Sequence, residues 1–345
     1  MKHWEGFDHG VNFGGWLSQC RHTVEHYERF IQAEDFKTVK EWGLDHVRVP
    51  VDYLLFEDDN KNPKTENLRF LDFAVEECKK NGLNMVLDLH RTIGFCFDSG
   101  YGEVGFFDSA ELQEHFCKTW EMFATRYGKY DHLAFEILNE VTNKEYCDTW
   151  NRVAGECIRR IRRIAPTTPI LYGGYYNNSI EALKDLALPQ DENIIYNFHC
   201  YEPLVFTHQG AGWIPTMDTS FRCPFKMTYA EYGKKSVEQL GERFGNAFDG
   251  YPKDEVIDEK YFETQFQEAV SVAEERNVRL YCGEYGVIDR VDPEEALLWF
   301  EAFHKALKKA GIGSAVWSYR GMDFGLSDAR MDGVRERILK LIKGE

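Results

Sequence analysis

Residues 132–140 read HLAFEILNE, and this stretch decides how the rest of the chain is interpreted. The nearly continuous apolar run from Leu133 to Leu138 predicts a short buried strand. Strands that are apolar on both faces are typical of parallel sheets covered by helices. The run ends in Asn139 and Glu140, and active sites of strand–helix barrels form at the carboxyl ends of the strands. Taken alone, Glu140 is explained equally well as a catalytic acid or as a residue near the start of the next helix.

A second stretch, residues 279–286 (RLYCGEYG), has the same pattern. Its apolar residues Leu280, Tyr281 and Cys282 predict a strand, which ends in the acid Glu284. Two acids at equivalent strand ends are what glycoside hydrolysis requires. One carboxylic acid protonates the leaving oxygen, and one carboxylate attacks or stabilises the developing cation.

Strand-like and helix-like segments alternate along the whole chain, which predicts parallel strands joined by helical crossovers. The predicted strands are 11–15, 45–49, 85–89, 132–140, 170–173, 194–198, 279–285 and 313–319, with Pro50 ending the second. The predicted helices are 33–42, 68–81, 109–127, 144–164, 180–186, 261–275, 294–310 and 331–342. Eight such units without a dividing linker predict one (β/α)8 barrel over residues 1–345. The irregular, aromatic-rich segment 202–258 is predicted to be an ordered insertion on the active-site rim.

The charge and the cysteines limit the possible partners and compartments. The chain has 41 lysines and arginines against 58 acids, a formal net charge of −17. Such a surface repels nucleic acid and anionic membranes, so we expect neither as a partner. Nine scattered cysteines without a CxxC pair predict free thiols in a reducing compartment. Because the first ten residues contain no apolar signal segment, we expect a cytoplasmic protein, or a secreted one if a leader was removed.

The motifs ILNE (137–140) and YCGEYG (281–286) resemble the acid/base and nucleophile signatures of glycoside hydrolase family 5. These cellulase-like (β/α)8 barrels carry their two glutamates after the fourth and seventh strands. The resemblance implies that Glu140 is the acid/base and Glu284 the nucleophile of a retaining enzyme that needs no cofactor or metal. The charge of Glu284 is expected to raise the pKa of Glu140. The implied substrate is an internal β-1,4 bond of a cellulose-type or mixed-linkage glucan, cleaved by a monomer.

Further strand-end residues match the family and receive roles from the resemblance. Arg48 in HVRVP resembles the arginine beside the nucleophile, and a positive charge there favours the ionised carboxylate. His90 in LDLHR resembles a histidine that contacts sugar hydroxyls. The family commonly has a second histidine next, whereas this chain has Arg91. Two further acids, Glu136 and Asp88, lie too deep in their predicted strands to meet a polysaccharide, so we assign them to a polar network inside the barrel.

The remaining matches follow strands four, six and eight. Asn139 resembles the amide that binds the 2-hydroxyl group of the cleaved sugar. His199 and Tyr201 resemble the family's HxY pair, with the histidine near the acid/base and the tyrosine near the nucleophile. Trp317 resembles the platform under the sugar ring. Three other aromatic residues are weaker candidates for outer subsites, and a structural role is preferred for each: Trp16, Phe206 and Trp213.

Other functions remain open at this point. β-Mannanase, xyloglucanase or exo-β-glucanase activity is compatible with the same residues. A metal-dependent barrel hydrolase could use His90 and His199 as ligands, but the first strand has no HxH pair and the chain no HExxH motif. A non-catalytic carbohydrate-binding barrel is disfavoured because both glutamates are present.

Overall fold

Eight parallel strands close into a barrel in this computed structural model, which describes residues 2–98 and 104–345. Each strand pairs with the next one along the chain, and the last pairs with the first. The predicted (β/α)8 barrel is therefore confirmed. The strands are β1 (His9–Asn12), β2 (His46–Asp52), β3 (Asn84–Arg91), β4 (Leu133–Glu136), β5 (Ile170–Tyr172), β6 (Ile194–His199), β7 (Arg279–Glu284) and β8 (Gly313–Val316).

The helices surround the barrel, and two predicted boundaries illustrate why they form where they do. The Ser109 hydroxyl accepts the backbone N–H of Leu112 and caps a helix start, and Gly82 takes the left-handed conformation that ends the preceding helix (φ +62°). The helices are α1 (Val24–Phe30), α2 (Ala33–Glu41), α3 (Leu68–Asn81), α4 (Ala110–Tyr127), α5 (Cys147–Ile164), α6 (Tyr175–Asn178), α7 (Leu204–Thr207), α8 (Tyr229–Leu240), α9 (Glu259–Arg276), α10 (Pro293–Ala310) and α11 (Arg335–Ile342).

The predicted and observed helices can be compared one by one. The prediction omitted α1, a seven-residue helix capped by Thr23. Residues 180–185 form a 3₁₀ helix, which confirms the brief helix predicted there. The closing helix begins at Arg335 because the preceding residues 329–331 form a separate 3₁₀ turn.

The prediction that Pro50 ends the second strand was also wrong, because β2 continues to Asp52. The N–H of Asp52 donates to the Leu17 carbonyl on the β1 side, at 3.0 Å. Backbone nitrogens two residues apart face the same edge of a strand. The nitrogen of Pro50 therefore faces the same edge as that of Asp52. The pairing of β1 with β2 ends at Asn12 and Arg48, so no residue of β1 pairs with Pro50. Proline is tolerated in a strand at such a position.

The interior of the barrel is divided into an apolar floor and a polar upper part. Towards the amino ends of the strands, a cluster of buried residues fills the barrel: Trp4, Phe7, Val86, Ala134, Leu171, Ile195, Tyr281 and Ala315. Trp4 stacks on Phe7 with ring centroids 3.9 Å apart and meets Tyr281 edge-on. This floor closes one end of the barrel, so the polar groups above it can be reached only from the carboxyl ends of the strands.

The long connection from β6 to α9 contains α7, α8 and a 3₁₀ turn at Glu242–Phe244. A capping box between Thr228 and Glu231 begins α8. The bounds 202–258 given to this insertion stay a prediction. All nine cysteines are free thiols, as expected from their spacing. No helix in residues 2–98 and 104–345 combines the length and the apolarity needed to span a bilayer.

Candidate active site

A single buried guanidinium group organises the polar part of the barrel. Arg48 on β2 donates through Nε and Nη2 to the two carboxylate oxygens of Glu136, at 2.7 and 2.8 Å. Its Nη1 donates to Oε1 of Glu284 at 2.7 Å, and its Nη2 to Oδ1 of Asn139 at 2.8 Å. Asp88 lies 3.0 Å from Nη2. Arg48 is fully buried, and its guanidinium donors are directed at these groups. The substrate contact predicted for it stays a prediction.

Glu284, the last residue of β7, is held by two donors. Arg48 bonds one carboxylate oxygen, and the Tyr201 hydroxyl donates to the other at 2.9 Å. Burial raises the pKa of the Tyr201 phenol, so this hydroxyl keeps its proton and remains a donor. The side chain of Glu284 faces the cleft but is only 5% exposed. It is thus fixed in position with its carboxylate charge compensated.

Glu140, just beyond the end of β4, has a different environment. His199 contacts Oε1 at 2.7 Å, and the Asn177 side-chain amide donates to Oε2 at 2.7 Å. Burial raises the pKa of the Glu140 carboxyl to about 7, while the Asn177 hydrogen bond and the charge of Arg48 oppose the rise. The raised pKa agrees with the sequence-based prediction, but its main cause is burial and not the charge of Glu284.

The histidine beside Glu140 is neutral and acts as a donor. Burial lowers the pKa of His199 to about 4. Its Nε2 faces the Nδ2 atoms of Asn178 (3.4 Å) and Asn197 (3.5 Å), and an amide nitrogen can only donate. Nε2 is therefore the acceptor in this arrangement, and Nδ1–H donates to Glu140. His199 Nδ1 also lies 3.6 Å from Glu284, between the two acids.

The two glutamates face each other across a short gap. One carboxylate oxygen of Glu140, one of Glu284 and a ring nitrogen of His199 all lie within 4.8 Å of one another. Within residues 2–98 and 104–345, no other group of three such side chains is arranged closely enough to hold a metal ion. The donors just described already use these atoms: His199 bonds Glu140, and Glu284 accepts from Arg48 and Tyr201.

One wall of the cleft is made by two parallel rings. His90 and Trp317 stack with an interplanar angle of 4° and centroids 5.8 Å apart. His90 bonds Asp88 through Nδ1 at 2.7 Å and Gln19 through Nε2 at 3.2 Å. A Cβ atom at position 14 would lie 2.6 Å from the Trp317 ring, so Gly14 is needed for this close approach. Trp317 is 6% exposed, and its peptide bond to Ser318 is cis.

The remaining predicted residues divide into buried and exposed groups. Oδ1 of Asn139 is occupied by Arg48, whereas its Nδ2 has no acceptor among the described residues. Trp16 and Phe206 are fully buried, which agrees with the structural role preferred for them. Trp213 is 52% exposed, and its ring lies 5.9 Å from the Arg290 guanidinium carbon, so the structural role preferred for it stays a prediction.

Glu136 and Asp88 lie in the interior network, as the depth of their strands predicted. Both are fully buried, and burial raises the pKa of Asp88 to about 7. Three functional neighbours escaped sequence reasoning, namely Asn177, Asn178 and Asn197. Asn197 lies inside β6, where its amide donates to Glu136 and its Oδ1 accepts from the backbone of Gly283. The only signal for Asn177 and Asn178 was a pair of asparagines after β5, a residue type favoured in turns.

Comparisons with known proteins find a matching family, similar sequences and similar structures. The model of the family "Cellulase (glycosyl hydrolase family 5)" matches residues 8–323. Cellodextrinase A of Ruminococcus flavefaciens is 42% identical over 308 residues, covering 89% of this chain and 84% of that protein. Endoglucanase C of Acetivibrio thermocellus is 34% identical over 340 residues, covering 97% and 98%. The solved Thermotoga maritima Cel5A structure with cellobiose shares the fold, with a TM-score of 0.77, 24% identity and 97% coverage of both chains.

Proposed function

The chain belongs to glycosyl hydrolase family 5, and on that basis we propose that it hydrolyses internal β-1,4-glucosidic bonds by double displacement. The observation that carries the proposal is the pair of dissimilar glutamates facing each other across the barrel mouth. Retaining enzymes hold their carboxyl groups about 5–5.5 Å apart, and inverting ones about 6.5–9.5 Å. The approach of the Glu140 and Glu284 oxygens to within 4.8 Å supports the retaining class.

In the first step Glu284 attacks the anomeric carbon while Glu140 protonates the glycosidic oxygen. Burial raises the pKa of Glu140 to about 7, so near neutral pH the acid still carries a proton to donate. Arg48 and Tyr201 orient the carboxylate of Glu284. The free Nδ2 donors of Asn139 suit the 2-hydroxyl group, a contact that strengthens in the transition state.

In the second step Glu140 acts as a base. After the leaving group departs, its carboxylate takes a proton from water, which attacks the anomeric carbon and breaks the bond to Glu284. The neutral His199, donating through Nδ1, supports the ionised form of Glu140 at this stage. The product then has the same anomeric configuration as the substrate.

Two relatives indicate two forms of the substrate. The Acetivibrio thermocellus relative is named an endoglucanase, which favours internal cleavage of a polymer, our first proposal. The Ruminococcus flavefaciens relative, at 42% identity, is named a cellodextrinase, which favours short soluble β-1,4-gluco-oligosaccharides as the second candidate. β-Mannan and xyloglucan remain less favoured alternatives on the same scaffold.

A substrate panel separates these candidates. Rates are measured on carboxymethylcellulose, mixed-linkage glucan, mannan, xyloglucan and cello-oligosaccharides of three to six units, with Glu284→Gln as the inactive control. An endoglucanase lowers the viscosity of carboxymethylcellulose early, when few reducing ends have formed. Rapid cleavage of cellohexaose with unchanged polymer viscosity would select the second candidate. No hydrolysis of any β-glycan, with the wild-type protein matching the Glu284→Gln control, would contradict the proposed function.

A further inference from the structure

The short element α6 after β5 lies directly beside the proposed acid/base. Its last three residues, Tyr176–Asn178, have left-handed backbone conformations and are called the left-handed turn here. The three residues have φ angles of +50°, +58° and +56°. Residues other than glycine adopt this conformation mainly as single residues and at an energetic cost, although asparagine tolerates it better than most. Three in succession persist only where surrounding contacts fix them, and such strain concentrates at functional sites.

Backbone hydrogen bonds fix the left-handed turn to the segment that follows Glu140. The N–H of Tyr176 donates to the Thr142 carbonyl at 3.1 Å, and the N–H of Asn177 to the Val141 carbonyl at 2.9 Å. The turn and the acid/base segment therefore form one unit, and the side chain of Asn177 is held at the carboxyl group of Glu140.

The side chains of the left-handed turn contact both Glu140 and the His199 ring beside it. Asn177 donates to Oε2 of Glu140 at 2.7 Å, and the Asn178 amide faces Nε2 of His199 at 3.4 Å. A Cβ atom at position 173 would lie 2.3 Å from Oδ1 of Asn178, so Gly173 makes room for this arrangement. His199 in turn bonds the other oxygen of Glu140. Both oxygens of the Glu140 carboxyl group thus accept a hydrogen bond. The turn supplies one donor directly through Asn177 and contacts the other donor, His199, through Asn178.

We propose that Asn177 is a positioning residue for the reaction, which holds the Glu140 carboxyl group in place and favours its ionised form through the amide-to-Oε2 hydrogen bond. The inference rests on the proposed function, in which Glu140 must act first as an acid and then as a base. A donor on the carboxylate opposes the effect of burial, which alone would keep the group protonated. Asn177 thereby keeps Glu140 able to ionise for the second step.

Other groups also act on Glu140 and have to be separated from Asn177. The titratable and charged side chains that face it come from four strands and from the loop after β6: Arg48, Asp88, His90, His199, Tyr201 and Glu284. None of them lies on the left-handed turn. Changing Asn177 therefore alters the hydrogen bond to Oε2 without removing any of these charges.

The structure offers clean variants and a matched control. Asn177 is exposed, and Asn177→Gly removes the amide while suiting a φ of +58°. Asn177→Asp keeps the size and the tolerance of that conformation but replaces the donor with an acceptor. Asn277 is also an exposed asparagine with positive φ (+51°), and it caps α9 at the opposite end of the barrel. Asn277→Gly and Asn277→Asp control for backbone effects.

The test is the pH profile of kcat/KM on two β-cellobiosides, one with a poor and one with a dinitrophenyl leaving group. With Asn177→Gly, the basic limb of the profile moves to higher pH by about one unit, the effect expected when a charge-assisted hydrogen bond is lost. With Asn177→Asp, the limb moves to still higher pH, because an acceptor replaces the donor. For the substrate with the poor leaving group, kcat/KM falls about tenfold. This is only part of the roughly 10²–10⁴-fold rate increase that general acid catalysis supplies. For the dinitrophenyl substrate, kcat/KM changes little. The Asn277 variants match the wild type.

Two results would overturn the inference: an unshifted basic limb in both Asn177 variants, or an equal loss on both substrates. A carbon-13 NMR titration of labelled glutamate reads the Glu140 pKa without any substrate. If the wild-type protein hydrolyses no β-glycoside, the proposed function fails, yet this titration still shows whether Asn177→Gly raises the pKa of Glu140. An unchanged titration rejects the role of Asn177 whatever the activity.

Discussion

Glu140 and Glu284 are the same residue type in two different environments, and we propose that this difference gives them different roles. Glu284 accepts from the Arg48 guanidinium and the Tyr201 hydroxyl, an arrangement that compensates a full negative charge. Glu140 has two neutral donors and a pKa raised to about 7 by burial. The raised pKa suits Glu140 to the role of the acid, and the two donors orient Glu284 for attack.

The pH dependence of the first step follows from the state of Glu140. The acid is active when protonated, and burial extends the protonated range from its ordinary value of 4.5 to about 7. kcat/KM on a substrate with a poor leaving group should therefore fall as the pH rises through about 7. Stopped assays from pH 4 to pH 9 measure this limb. Its persistence at the same pH in the Glu140→Gln variant would assign it to another group.

Azide separates the two glutamates. In Glu140→Ala, a dinitrophenyl glycoside still forms the intermediate, and azide attacks it without needing a base, so the rate rises and a β-glycosyl azide forms. In Glu284→Ala, azide can only replace the nucleophile and would give the α-glycosyl azide. NMR of the isolated azides identifies the anomer. An α-azide from Glu140→Ala would show that the two roles are exchanged.

At the scale of elements, the Arg48 network joins five strands and the segment after β4, because Arg48 also donates to Oδ1 of Asn12 on β1 at 2.9 Å. Its carboxylates lie on β3 (Asp88), β4 (Glu136) and β7 (Glu284), and Arg48 itself lies on β2. One guanidinium group compensates several buried acids, and burial raises the pKa of both Asp88 and Glu136. Removing the cation leaves these buried carboxylates without a compensating charge.

Arg48→Ala should therefore reduce the free energy of unfolding by about 3–5 kcal/mol, the range measured when one partner of a buried ion pair is removed. Arg337→Ala is the control, because its ion pair with Glu294 is exposed, and exposed pairs contribute about 0–1 kcal/mol. Urea unfolding monitored by tryptophan fluorescence measures both. A loss below about 1 kcal/mol for Arg48→Ala would contradict the importance given to the network.

The strand-end residues could be predicted from the sequence because a parallel barrel brings the carboxyl ends of its strands together. Apolar runs that end in Glu140 or Glu284 are visible without a structure. The role of Asn177 was not predictable, because it depends on three successive left-handed residues and on backbone bonds to another loop. The continuation of β2 through Pro50 likewise depends on the length of a neighbouring strand, which the sequence of β2 does not contain.

At the scale of the molecule, the catalytic groups lie between an apolar floor and a cleft at the open end of the barrel. The acidic surface, with a net charge of −17, suits a neutral glucan and disfavours polyanions. The eight-unit alternation predicted this architecture. The segment from β6 to α9 lacked a regular pattern, so α7 and α8 were not predicted. We propose that the enzyme acts as a monomer, which light scattering of the purified protein tests.

Metal removal tests whether the protein residues alone supply the chemistry. Three groups near the reacting bond, Glu140, His199 and Glu284, have the composition of a metal site, but their atoms are already bonded to one another or to Arg48 and Tyr201. Activity should survive exhaustive EDTA dialysis unchanged. Complete loss, restored by one divalent ion, would instead place a metal in the mechanism.

The central claim is that Glu284 forms a covalent bond to the sugar, and trapping the intermediate tests it most directly. A dinitrophenyl 2-deoxy-2-fluoro-β-cellobioside reacts at the first step, but its fluorine slows release of the glycosyl-enzyme. Mass spectrometry of the digested protein should find one added fluorocellobiosyl group, on the peptide that contains Glu284 and on that residue. Finding the same adduct on Glu140 would contradict the account. So would the absence of any adduct, if the unsubstituted glycoside is hydrolysed with inversion of the anomeric configuration.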